Sequence, residues 1–109
     1  MKGKRVTQTT TPLTGKATEM EIEAWKEQFG AVFSTEVEHH IAYFKKPDRQ
    51  QLSYAMLFAN NPVKQMETLL RECFVGGSEA ILNNMEYMLG ASSILSTLVD
   101  VKRVEIAKL

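Results

Sequence analysis

The side chains able to do chemistry in this chain are few: His39 and His40, Cys73, Ser78 and scattered carboxylates. Adjacent residues on a strand point to opposite faces, so the two histidines are poorly placed to share one ion. No Cys or His partner sits at ligand spacing either, and a metal site is not expected. Cys73 falls on an apolar helical stripe with nothing basic or imidazole-bearing beside it, which reads as a packed, inert thiol. Gly76-Gly77 lacks the spacing and the Lys-Ser/Thr pair of a phosphate loop. Ser78 reads as a helix cap, not as the nucleophile of an elbow. The carboxylates lie along solvated helix faces, without an apolar setting that would raise a pKa for acid–base work. The expectation is a binding protein that is not an enzyme, with no cofactor and no metal.

Composition sets the frame for that function. At 109 residues, 44% of them apolar, the chain is long enough for one domain with a modest core and too apolar for disorder throughout. The formal net charge is zero, but residues 1–18 carry Lys2, Lys4, Arg5 and Lys16 with no acid, a surplus of +4. Residues 19–109 hold the balance, −4. A mildly acidic body argues against a phosphate-binding surface, so nucleic acid is not the expected partner. The single cysteine excludes an internal disulfide and suits a reducing compartment. No apolar run approaches the roughly 18 residues of a membrane span, and the basic start lacks a signal peptide's apolar stretch. The cytoplasm is the expected location, with no membrane partner.

The elements that must position any binding surface follow from periodicity. Residues 1–18 are Thr-rich, contain Pro12, Gly3 and Gly15, and are expected to form a disordered basic tail, either a solubilising arm or a short arm touching a partner. Residues 19–109 are expected to form a single globular domain. Its first helix is predicted over 19–28, with Met20, Ile22, Trp25 and Phe29 as its apolar residues and Gly30 as its stop. Residues 31–45 carry β-branched and aromatic residues alternating with polar ones, predicting a β-hairpin whose turn lies at Glu38-His39-His40. Pro47 ends the second strand, and Asp48 with Gln51 forms a capping box for a helix marked by Leu52, Ala55, Met56 and Ala59. Asn61 as N-cap and Pro62 at the first helical position open the next helix. Its stripe is Val63, Met66, Leu69, Leu70, Cys73 and Phe74, stopped by Gly76-Gly77. A brief helical turn over 78–82 follows. The fold class is therefore α+β and predominantly helical: an N-terminal helix, a hairpin, then three to four helices ending in a long C-terminal one.

That last helix is predicted over about 84–108. Met85, Met88, Ser92, Leu95, Val99, Lys102 and Ile106 step by three and four along one line, and Tyr87, Ala91, Ile94, Leu98 and Val101 along a second. Together they cover well over half the circumference, leaving a narrow polar strip near Glu86, Ser93, Thr97 and Asp100. A surface helix needs a stripe of only roughly 100°. Either this helix is central to the domain, or one line faces the core and the other a partner chain. In the second case Met85, Met88, Leu95, Val99 and Ile106 are the candidate partner-binding residues. Methionines, with Met56 and Met66 elsewhere, suit an adaptable contact as well as an ordinary core.

Several short signatures occur in a recognisable order. A helix end containing Trp25 and Gly30 precedes the hairpin, and Lys45-Lys46-Pro47-Asp48-Arg49, with Leu52 and Ser53, starts a helix. An Asn61-Pro62 helix start, the segment Cys73-Phe74-Val75-Gly76-Gly77 and the stretch Val101-Lys102-Arg103-Val104-Glu105 come after. Over residues 25–109 the chain resembles small tail assembly chaperones of phages and prophages. The resemblance implies a protein encoded just before the tape measure protein, which coats that long helical chain and keeps it soluble until tail tube subunits polymerise around it. It implies a bacterial host cytoplasm, absence from the finished virion and, in many such families, a longer frameshifted product. Glu38-His39-His40 departs from the short Asp-Gly turn of the pattern.

Two other readings compete. A structural prophage component, such as a head–tail connector or minor tail protein, would self-associate through the last helix as a homo-oligomer. A small DNA-binding regulator would use the basic tail and the helices between 48 and 74 as a helix-turn-helix, although the second of these offers only Lys64 and Arg71 to a groove.

Overall fold

A computed structural model describes residues 13–99 and 106–109. The chain is α+β, as its periodicity predicts: α1 (Glu19–Phe29), β1 (Val32–Val37), β2 (His40–Lys45), α2 (Arg49–Met56), α3 (Pro62–Cys73), β3 (Phe74–Gly77), α4 (Ala80–Asn83), α5 (Met85–Ala91), a 3₁₀ turn (Ser92–Ile94) and α6 (Leu95–Leu98). The three strands form one antiparallel sheet in the order β1-β2-β3. Among the described residues no helix is long and apolar enough to cross a membrane.

The central strand β2 is buried on both faces, since Ile41, Ala42, Tyr43 and Phe44 are all buried in succession. Ala42 and Phe44 join the core with Leu70, Cys73, Ile81, Met88, Ala91, Ile94 and Leu98 from the helices, and Phe33 and Val37 of β1 pack at its margin. On the opposite face the Tyr43 ring lies 5.3 Å from that of Trp25. A Cβ on Gly76, the register partner of Tyr43, would fall 2.5 Å from the Trp25 indole. The bare glycine is what lets α1 lie this close to the sheet. No residue of α1 is fully buried, so the helix is held by one side of a few large side chains.

The helix starts follow the sequence. Asp48 accepts the Gln51 N–H at 2.8 Å while the Gln51 side chain accepts the Asp48 N–H at 3.0 Å, closing the expected capping box. The same Gln51 amide donates to the Glu72 carbonyl at 2.9 Å and fastens α2 to α3. Asn61 caps α3 at the Lys64 N–H, with Pro62 at the first position. A second capping box, Thr18 with Glu21, opens α1; this Thr-x-x-Glu pattern is present in the sequence but falls inside the segment read as tail.

Four expectations need correction. Residues 1–12 of the predicted tail lie outside the described residues, but its end is part of the body. The Thr14 N–H donates to His39 O at 2.6 Å and the Ile41 N–H to Thr14 O at 3.0 Å, so this segment pairs with β2 beside the end of β3. Gly15, at φ +91°, approaches so closely that a Cβ would sit 2.2 Å from the Ser78 nitrogen. Second, Gly76-Gly77 does more than stop a helix: with Phe74 and Val75 it forms β3, irregular at Val75, where the register between Tyr43 and Phe44 shifts. Third, the Ser78 side chain does not cap α4, whose N-cap is Glu79 without a side-chain bond. Its hydroxyl instead lies 2.8 Å from His40 Nδ1.

The fourth correction is the last helix, which is not continuous over 84–108. It breaks into α5, the 3₁₀ turn and α6, and leaves helical geometry at Val99, with φ −109° and ψ 93°. Gly90 and the serines explain the break. Ser92 Oγ donates to Leu89 O at 2.7 Å and Ser96 Oγ to Ser93 O at 3.0 Å, bonds that compete with the backbone ladder. Residues 100–105 lie outside the described residues, and 106–109 are not helical.

The hairpin turn is two residues, Glu38-His39, with Val37 opposite His40. Glu38 has φ 57° and is the one non-glycine residue with positive φ among those described. Positive φ at the first turn residue alone is the sign pattern of a type II′ turn, where glycine is preferred. The left-handed backbone costs an L-residue about 1–2 kcal/mol, partly offset by the about 0.5–1 kcal/mol of flexibility a glycine loses on folding. Glu38→Gly is therefore expected to raise the thermal midpoint by about 2–8 °C, measured by circular dichroism. An unchanged or lower midpoint contradicts the strain.

Cys73 is fully buried in the core, and burial pushes its thiol up to about 11, with Lys45 opposing and Glu72 and Asp48 adding to the rise. The folded state thus holds this proton more tightly than the unfolded chain, whose thiol titrates near 9.0. Stability is complete below that value and falls as pH rises from 9 toward 11. At pH 8 the thiol should resist a thiol-reactive dye until denaturant is added. Rapid labelling of the native protein would place Cys73 outside the core.

Candidate protein-docking surface

The line of five residues expected to meet a partner does not form one surface. Met88 is 2% exposed and belongs to the core. Leu95 and Val99 are half-buried against the same core, whereas Met85 is 49% exposed and Ile106 91%. Each residue in a 3₁₀ turn advances about 120° instead of 100°, so three of them rotate the following residues by roughly 60° and dissolve the line. The second line supplies core: Ala91, Ile94 and Leu98 are buried, and the Tyr87 ring lies 5.0 Å from that of His40. The wide apolar arc is thus mostly a core-facing arc. Of its described apolar residues Met85 and Ile106 stay exposed, and Leu89, on neither line, is exposed one turn from Met85 on α5.

The groups singled out for chemistry are also placed. His39 is exposed in the turn and His40 half-buried. Among the described residues no group of three or more His, Cys, Asp or Glu side chains could hold a metal. His40 and Ser78, 38 positions apart, meet in space. Ser78 is 6% exposed and its N–H donates to Ile41 O at 2.9 Å, so the pair fastens the β3–α4 junction to β2.

Among the described residues, the largest run of exposed apolar side chains is at the corner between α2 and α3. Leu57 is 75% exposed, Met56 60%, Val63 49% and Tyr54 48%. The corner exists because α2 ends after eight residues and the chain leaves it by tight turns. The Leu57, Phe58 and Ala59 N–H groups donate to the carbonyls three residues back, at 3.2, 3.0 and 3.2 Å. Gln51, Leu52 and Ala55 take the inner face of α2, which leaves Arg49, Ser53, Tyr54 and Leu57 on the outer one. The Tyr54 and Phe58 rings meet edge to face at 5.6 Å, and Lys64 Nζ stands 5.6 Å above the Phe58 ring. The Gln65 amide donates to Met56 sulfur at 3.4 Å across the corner.

The rim is basic. Arg49, on the outer face of α2, and Lys64, in the first turn of α3, are exposed, and the ion pairs among the described residues lie elsewhere, Lys26 with Glu23 and Arg71 with Glu67. Asp48 has its carboxylate on the Gln51 N–H, and Glu67, one turn beyond Val63 and Lys64, pairs with Arg71. Arg71 also donates to Leu82 O at 2.9 Å, and α3 buries Thr68, Leu70 and Cys73, so α3 packs as a core helix, which counts against a recognition helix.

No family model, curated protein or solved structure matches the chain. The surface must therefore be read from its own residues. Helical spacing includes Met56 and leaves it open as an adaptable contact or as core, and it does not single out Tyr54 and Leu57. The available signal was that residues 54–58 are apolar all round, more than one buried face can absorb.

These placements separate core from surface in one experiment. Met88→Gln is expected to lower unfolding free energy by about 2 kcal/mol or more, while Met85→Gln and Leu89→Gln each stay within about 0.5 kcal/mol. Urea denaturation measures all three. A mild effect at Met88 would return it to the surface.

Proposed function

We propose that the protein is a phage or prophage tail assembly chaperone that binds the helical tape measure protein in the bacterial cytoplasm. The order of the sequence signatures supports this reading, and so does one feature of the fold: exposed Tyr54, Met56, Leu57 and Val63 on a helical corner. Apolar helix faces dock against such surfaces, and thioethers adapt to varied side chains along a long client.

The energetics suit a temporary partner. Full burial of a Leu or Met side chain is worth about 1.5–3 kcal/mol, and these four are already partly covered. Association itself costs at least about 4 kcal/mol. One corner therefore gives weak binding, each copy along a client being held on its own and exchanging readily. Such a coat keeps apolar stripes from one another and yields when tube subunits compete for the same chain.

Co-expression with overlapping fragments of the long helical neighbour tests the proposal. At least one fragment should become soluble and co-purify with the protein. If none does, the chaperone reading fails, and a stable ring of the isolated protein in light scattering would support a self-associating structural component.

A further inference from the structure

We infer that the α2–α3 corner takes an amphipathic helix whose apolar stripe is flanked by acidic residues. This rests on the reading above that the partner is a helix, and adds where it binds and what charge it carries. The corner joins an apolar centre, Leu57 with Met56, Tyr54 and Val63, to two exposed cations, Arg49 two turns before Leu57 on the outer face of α2 and Lys64 in the first turn of α3. Lys45, before the start of α2, has its Nζ held by the Gln51 side chain and the Lys46 carbonyl. The Lys64 ammonium over Phe58 keeps one positive charge at the edge of the apolar centre.

The charge contrast with the elements that precede it in the chain gives the surface its selectivity. Residues 19–44 carry Glu19, Glu21, Glu23, Glu27, Glu36 and Glu38 against the single cation Lys26. An acid-flanked helix is repelled there and attracted at the corner, whereas a lysine-flanked helix meets the reverse field. Rim charges of this kind act on the rate of encounter and the choice of partner, and are screened by salt. The apolar centre supplies the holding energy.

Two synthetic helical peptides of equal apolar stripe, one flanked by Glu and one by Lys, test this with the full chain by fluorescence anisotropy. The Glu peptide should bind about tenfold tighter at low salt, and the advantage should shrink as salt is raised. Met56→Gln with Leu57→Gln should weaken it by about tenfold, with the circular dichroism spectrum unchanged because both residues are exposed. Leu89→Gln, on the exposed side of α5, should leave binding intact. Arg49→Glu with Lys64→Glu should reverse the preference between peptides. Equal binding of the two peptides, preference for Lys, or indifference to the Met56 and Leu57 changes overturns the inference. So does a dimer of the isolated protein that the double Gln variant converts to monomer, because a second copy then covers the corner. Client fragments still retained by the double Gln variant would leave the chaperone reading standing and this site wrong. Peptide binding as expected, with no client fragment retained by the wild-type chain, would do the opposite.

Discussion

The burial of β2 on both faces is the constraint from which the other placements follow. Four successive residues, Ile41 to Phe44, are removed from water, although a strand's side chains alternate between faces. The sheet must then be covered twice. The helices α3 to α6 cover the Ala42–Phe44 side, and α1 with the segment around Thr14 covers the Ile41–Tyr43 side. The second cover is thin, and it depends on bare backbone. Gly76 admits the Trp25 indole, Gly15 admits the N-terminal segment against Ser78, and the Tyr43 hydroxyl accepts the Ala17 N–H at 3.1 Å. A side chain at either glycine would lift a layer from β2 and return apolar surface to water.

What the sequence disclosed was local. The caps at Asp48 and Asn61 are readable because each needs only residues within one turn, and the hairpin because its strands are adjacent. β3 was hidden for the opposite reason. Its four residues include two glycines, so no side-chain periodicity marks it, and its stability comes from backbone pairing with a strand about thirty residues earlier. Thr14 was hidden in the same way: its pairing with β2 is a backbone event inside a polar, Thr-rich segment. Ser78 and His40 meet only once the β2–β3 pairing exists.

The last helix failed for an energetic reason. Its apolar residues fit a continuous 3.6-residue period, and periodicity treats each position as a helix that has already formed. Gly90, Ser92, Ser93 and Ser96 supply poor propensity and competing hydrogen bonds, and packing of Ala91, Ile94 and Leu98 onto the core rewards the rotated phase. The apolar arc was real, but a break spread it around the core instead of dividing it between core and partner. The surface line inferred from it accordingly came apart at Met88.

The α2–α3 corner differs from that line in a way that bears on function. The fold draws from Leu57 an N–H bonded to Tyr54 O, which every residue except proline can supply, while its side chain is 75% exposed. Met56 likewise contributes a carbonyl to Ala59, and its thioether takes only a weak bond from Gln65. Polar residues at both positions would preserve every backbone bond of the corner and lower its tendency to associate. The fold's own energetics therefore give no account of why a leucine and a methionine stand there, beside two cations, Arg49 and Lys64, that form no ion pair among the described residues. A partner that covers the apolar pair and neutralises the rim accounts for both features at once, and a helix is the element whose period lets one face do so.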